Sequence, residues 1–169
     1  SGGSHAIPAG KSVTGGAIEV GGGSLTVDGT YSASSSSFLG GITQFRSGSQ
    51  VTPSTLLVAN TASVEFCTGQ DILIYGFSMS GGTLLGSDQI SHGFAGSHPY
   101  ATWSGGEMRG PGVTWLQTPE LAVFGSAAKD LTEGRKLETL TVTWEGTGPS
   151  RACRLTSPTW ASTTTVSTP

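Results

Sequence analysis

Lysine is scarce in this chain: three residues in 169, with charged residues making up only 11 %. About 25 % is usual for a globular domain. With a net charge of −3 and no Lys/Arg cluster, the chain lacks the phosphate-neutralising contacts that dominate nucleic-acid binding. Arg151 and Arg154 come closest to a basic pair and read as a solvated turn. Cysteine is limited to Cys67 and Cys153, which is not a disulfide framework. One bridge or two buried thiols both remain open. No CxxC occurs, which removes zinc ribbons and redox motifs. No apolar run approaches the ~18 residues of a membrane span. The one asparagine, Asn60, is followed by Thr-Ala, so no N-glycosylation signal exists. No signal-peptide pattern opens the chain, and Ser1 rather than Met stands first, as in a processed product or a tagged chain.

In place of charge there are small and hydroxylated residues: Gly, Ser and Thr supply 74 of 169. Disordered chains combine low hydrophobicity with high net charge. Here net charge is low, and four Trp and six Phe are present. The composition therefore predicts one folded domain whose surface is covered by hydroxyls and backbone. Such a surface is inexpensive to desolvate, as suits one that lies against neighbouring subunits.

Residues 1–14 show no apolar periodicity and read as an N-terminal arm. "AGKS" at 9–12 resembles the tail of a phosphate loop, but the pattern wants Gly where His5 stands, and no strand precedes it. From Ala17 onward, short alternating segments recur between glycine turns. Ile18 and Val20 share one face, and Leu25 and Val27 share another, so 17–28 reads as a hairpin. "SVEFC" and "DILIYGF" read as a second hairpin, its latter arm apolar on both faces and so central. "LETLTVTWE" reads as one strand with Leu140, Val142 and Trp144 inward. The one helix candidate, 126–138, is interrupted by Gly134. The expected fold class is all-β: a single-domain β-sandwich or barrel of short antiparallel strands, in jelly-roll or Greek-key style. A β-solenoid is the lesser alternative, because no fixed period of about 20 to 30 residues survives comparison of successive segments. The expected organisation is an arm over 1–14, a β domain over 15–155 and a Ser/Thr/Pro-rich tail over 156–169.

Catalytic patterns are incomplete. Ser78 in "GFSMSG" follows a strong apolar segment, but Ser80 occupies the position where a nucleophile elbow wants Gly. His92 and His98 are separated by five residues, which puts them side by side on neither a strand nor a helix; with Asp88 they make a poor metal set and read as an exposed loop. The eleven acids are scattered, although Glu65 and Asp71 flank one turn and Glu107 lies near Arg109. A glycosidase needs two carboxylates facing one cleft. The chain is thus expected to be non-enzymatic and to need no cofactor or metal.

The Gly/Ser/Thr-rich, Lys-poor, all-β composition with irregular ends resembles that of virion surface β domains: capsid protrusions, decoration proteins and fibre tips. No family motif carries the resemblance, so no residue roles come with it. It implies a structural protein on a virus or phage particle exterior, with other protein subunits as partners and a virion or extracellular location. The alternative is a secreted, lectin-like carbohydrate-binding module. Tyr100, Trp103 and Trp115 lie close in sequence within Gly/Pro-rich segments and would form its glycan platform. The plainer expectation for Trp103 and Trp115 is burial as core residues.

Overall fold

Alternating apolar and polar residues do make strands here, but every strand pair runs parallel and the chain coils. The structure, a computed structural model, describes residues 2–93, 100–117, 120–145 and 150–151. Among them are eighteen strands and no helix. The first turn of the coil holds β1 (Ser4–Ile7) and β2 (Ser12–Val20), the second β3 (Ser24–Val27) and β4 (Thr30–Phe38). The third holds β5 (Ile42–Phe45), β6 (Gln50–Pro53) and β7 (Thr55–Val58). β8 (Ser63–Phe66), β9 (Asp71–Ile74) and the first half of β10 (Gly76–Gly86) make the fourth. The rest of β10, β11 (Gln89–His92) and the start of β12 (Tyr100–Met108) make the fifth. The end of β12, β13 (Val113–Leu116) and β14 (Glu120–Val123) make the sixth. β15 (Lys129–Leu131), β16 (Lys136–Thr139) and β17 (Val142–Trp144) make the seventh, and β18 (Ser150–Arg151) begins another.

The fold is therefore a parallel β-solenoid of about seven turns, not the antiparallel sandwich, barrel or jelly roll expected from the sequence. The physical reason lies in the glycines. A glycine turn between alternating segments serves a corner as well as a reversal. The expected hairpin of 17–28 is such a corner: β2 pairs with β4, while β3 pairs with β1 and β5. Parallel partners need a long crossover, and here the crossover is the rest of the turn. The repeat escapes a fixed period because corners vary in length. Ser24 lies opposite Ile42, 18 residues on, whereas Thr83 lies opposite Glu107, 24 residues on.

Three walls result. The first stacks β1, β3, β5, β8, the end of β10, the end of β12, β15 and β18. The third stacks the end of β2, the end of β4, β7, the start of β10, the start of β12, β14 and β17. The second stacks the starts of β2 and β4 with β6, and then a separate four-stranded sheet, β9–β11–β13–β16. Proline has no N–H for a ladder, and the break falls at Pro53, which ends β6.

Inside the coil, like positions stack turn upon turn. Val27, Phe45 and Phe66 are in register, and the rings of Phe45 and Phe66 lie 4.7 Å apart at 6°. Tyr31 and Phe38 meet Phe45 edge-on, and the Tyr31 hydroxyl donates to the buried Ser36 Oγ at 2.9 Å. At the corner from the third wall to the first, backbones of successive turns touch. A Cβ on Gly41, which has φ +77, would strike the Gly23 carbonyl.

Local differences follow from the corners. Residues 4–7 and 12–14, read from sequence as part of an arm, are strand residues of the first turn. Residues 126–138, the helix candidate, contain β15 and the start of β16. The segment 137–145 breaks at a corner after β16, so Leu137 and Thr139 point inward and Leu140 is 43 % exposed. The tail 156–169 and Cys153 lie outside the described residues.

Candidate functional site

The sheet β9–β11–β13–β16 turns one face to the core and the other outward. Strand alternation assigns the sides. Ile72, Ile90, Thr114 and Leu137 stack inward; Asp71, Gln89, Val113 and Lys136 form one outer file, and Leu73, Ser91, Trp115 and Glu138 the other. Thr114 is buried because it has a partner. The Arg135 guanidinium donates to Thr114 Oγ1 through Nε at 3.2 Å and Nη2 at 2.9 Å. Arg135 also donates to the Gly86 carbonyl, and burial lowers its pKa to about 10, with nearby Asp88 opposing. Asp88 in turn accepts from Thr68 N–H and Oγ1, both at 2.6 Å, and from Gly69 N–H at 3.0 Å. This buried group ties four turns together at one corner.

On the outer side, Asp71, Gln89 and Ser91 hold one another. Ser91 Oγ donates to Asp71 Oδ1 at 2.7 Å; Gln89 Nε2 donates to Ser91 Oγ at 2.9 Å and to Asp71 Oδ2 at 3.3 Å. Small Ser91 stands between Leu73, 48 % exposed, and the half-buried Trp115. The result is a fixed polar strip bounded by two apolar side chains. Such a surface can stack the apolar face of a flat ligand and bond its hydroxyls. Asp71 and Glu138 are three strand spacings and two residues apart, ~16 Å, too far to act as a glycosidase pair.

The three aromatics singled out in the sequence do not share a surface. Trp103 points into the core from the third wall, 1 % exposed. Its Nε1 has no hydrogen-bond partner among the described residues. Trp115 faces outward on the second wall. Tyr100 begins β12 on the third wall, opposite Glu120, and its side chain lies outside the description. The polar cluster around Trp115 escaped sequence reasoning. Its signal was the 18-residue interval from Asp71 to Gln89, the same as from Ser24 to Ile42.

Other candidates are dispersed. Ser78 faces outward on the third wall and accepts from Thr102 Oγ1 at 2.9 Å. His92, expected in an exposed loop, is an inward residue of β11, 2 % exposed, with neither ring nitrogen hydrogen-bonded among the described residues. Burial pushes its pKa below the ordinary histidine value, and the polar backbone at Tyr75 and at His92 itself opposes the shift. His98 lies outside the described residues. Glu65 accepts from Gln44 Nε2 at 2.9 Å on the first wall, away from Asp71. Glu107 accepts from Thr132 Oγ1 at 2.6 Å, while Arg109 sits 3.9 Å from Glu133. Among the described residues no group of three acidic, histidine or cysteine side chains is placed to hold a metal ion. Comparison of the chain with protein-family models, with curated proteins and with solved structures gives no match.

Proposed function

We propose that the chain is a non-enzymatic structural module of a larger assembly, carried on the exterior of a virus or phage particle and packed against other protein subunits. One observation carries this reading. The outer side of the third wall presents Ser35, Ser37, Thr55, Leu57, Ser78 and Thr102 in two files, while its acids, Glu19 and Glu120, stand towards the two ends. A strip of uncharged, mostly small side chains can approach another surface without the cost of burying unpaired charge. Light scattering of the purified chain across a dilution series tests it. A defined oligomer, or mass that grows with concentration, supports the reading; a strict monomer at all concentrations counts against self-assembly.

A second reading, glycan binding, is favoured by the Asp71–Gln89–Ser91 strip beside Trp115. It predicts a shift in tryptophan fluorescence on titration with oligosaccharides, lost in Trp115→Ala. An unchanged spectrum across a broad glycan panel would remove it.

A further inference from the structure

The polar strip on the second wall offers acceptors and no donors. Each of its donors is already used within the strip. The Ser91 hydroxyl donates to Asp71 Oδ1 at 2.7 Å, and the two N–H groups of the Gln89 amide go to Ser91 Oγ at 2.9 Å and to Asp71 Oδ2 at 3.3 Å. What is left for a ligand is the second lone pair of each Asp71 oxygen and the Gln89 side-chain carbonyl. Asp71 is exposed, and among the described residues no cation stands within ion-pair distance of it. Lys136, on the same face, lies beyond Val113, two strand spacings or ~10 Å from Gln89, and shares its own strand with Glu138.

Further along β11 the same face turns apolar. Gly93 follows His92 and keeps to the ladder, its N–H donating to the Ile74 carbonyl at 2.7 Å. A Cβ there would lie 2.8 Å from Tyr75 Cε1 and 3.0 Å from Leu73 Cδ1. The missing side chain therefore lets Tyr75 and Leu73 lean over β11, whose other neighbour, β13, carries Trp115. An apolar platform of Leu73, Tyr75 and Trp115 adjoins the acceptors of Asp71 and Gln89.

We infer that this face is a site for amino sugars, that is, hexosamine units with a free amine. The ammonium and hydroxyls of the sugar donate to Asp71 and Gln89, and its C–H face lies on the platform. The donors must come from the ligand, because the strip has none to give. A fixed carboxylate without a counter-ion favours a cation, and the faces of Trp115 and Tyr75 attract one too. Acceptors held in place by their mutual bonds suit a rigid ring with several donors better than a lysine on its flexible stem, since little ordering is left for binding to impose. Acidic sugars are refused, because their anionic groups would meet acceptors and a like charge. The inference deepens the glycan reading and rests on it, naming the class of sugar.

The probe is a glucosamine hexamer, titrated into the full chain at low salt and followed by calorimetry and tryptophan fluorescence. Its N-acetylated counterpart and a galacturonic acid hexamer are run beside it. The free amine should bind about fivefold tighter than the acetylated form, the worth of one exposed charge pair, and the uronate should not bind. Asp71→Asn should erase that preference, whereas Trp115→Ala should weaken both hexosamines alike. Equal binding of the two hexosamines would overturn the inference and leave the glycan reading standing. A preference that survives Asp71→Asn, or saturable binding of the uronate, would do the same. Binding of none of the three overturns the inference and the glycan reading together. A lysine hexapeptide that binds as tightly as the free amine and competes with it would make the face a plain cation site, which also overturns the assignment to a sugar.

Discussion

His92 carries two polar ring nitrogens into an apolar stack between Ile74 and Leu116, and neither is bonded among the described residues. Its folded-state pKa lies below the ordinary 6.5 because burial penalises the charged form. Above 6.5 the ring is neutral in both folded and unfolded chains, and stability does not depend on it. As pH falls below 6.5, the unfolded chain takes up a proton that the folded chain resists, so stability declines until the folded pKa is reached. Thermal melts from pH 8 to 5 should show this decline, and His92→Leu should flatten it. The two tryptophans provide a second contrast. Trp103→Ala should cost about 3–5 kcal/mol in chemical denaturation, as removal of a large core side chain does. Trp115→Ala should cost less, about 1 kcal/mol, because its outward ring is only half-buried. Comparable losses for both would refute the placement of Trp115. Sequence pattern could not separate them. In "VTWL" the file Val113/Trp115 is more apolar than Thr114/Leu116, so alternation alone turns Trp115 inward. Arg135, 21 residues away, reverses the choice by bonding the Thr114 hydroxyl inside the coil.

For single elements, strand positions were largely legible and strand direction was not. The segments 17–20, 24–27, 63–66 and 71–74 read as strands from the sequence, and the structure has strands there. What alternation cannot report is where the chain goes after a glycine. The turn at Gly21–Gly22–Gly23 fits a hairpin as well as a corner, and only the partners decide: β3 sits against β1 and β5. The long strands made matters harder. β10 runs through a corner, leaving the third wall and entering the first, with register shifts between Met79 and Thr83. A segment that looks like one strand therefore serves two walls. Corners make their own prediction. Gly41→Val meets both a left-handed backbone and the Gly23 carbonyl, so it should cost about 2 kcal/mol or more. Gly48 shares the left-handed backbone, φ +85, but faces open space. Gly48→Ala should cost about 1 kcal/mol. Urea titrations of the two variants check the difference, and equal losses would mean that contact between turns is not what holds the corner.

Taken whole, the molecule is a stack whose strand pairing joins each turn only to its neighbours, and stability is then close to a sum of turns and interfaces. Whole turns should be exchangeable where parts of turns are not. Deleting residues 42–62 joins Gly41 to Ser63, which occupies Ile42's place in the register. That variant should fold cooperatively, with a circular-dichroism spectrum of the same shape. Deleting 42–52 should prevent folding, because it puts Pro53–Leu56, the end of the second wall and the start of the third, into the first wall and leaves that turn without a second wall. If both deletions unfold the protein, the turns are not independent units.

The ladders between turns point along the axis of the rod, and this gives the protein a mechanical character. Pulled by its two ends, the chain cannot slide a wall as a block; it must peel one turn from the next. Each peeled turn frees between 18 residues, as from Ser24 to Ile42, and 24, as from Thr83 to Glu107. That is a lengthening of about 60–85 Å per event. An optical trap should record a staircase of small, unequal steps, and their order would reveal which end of the coil yields first.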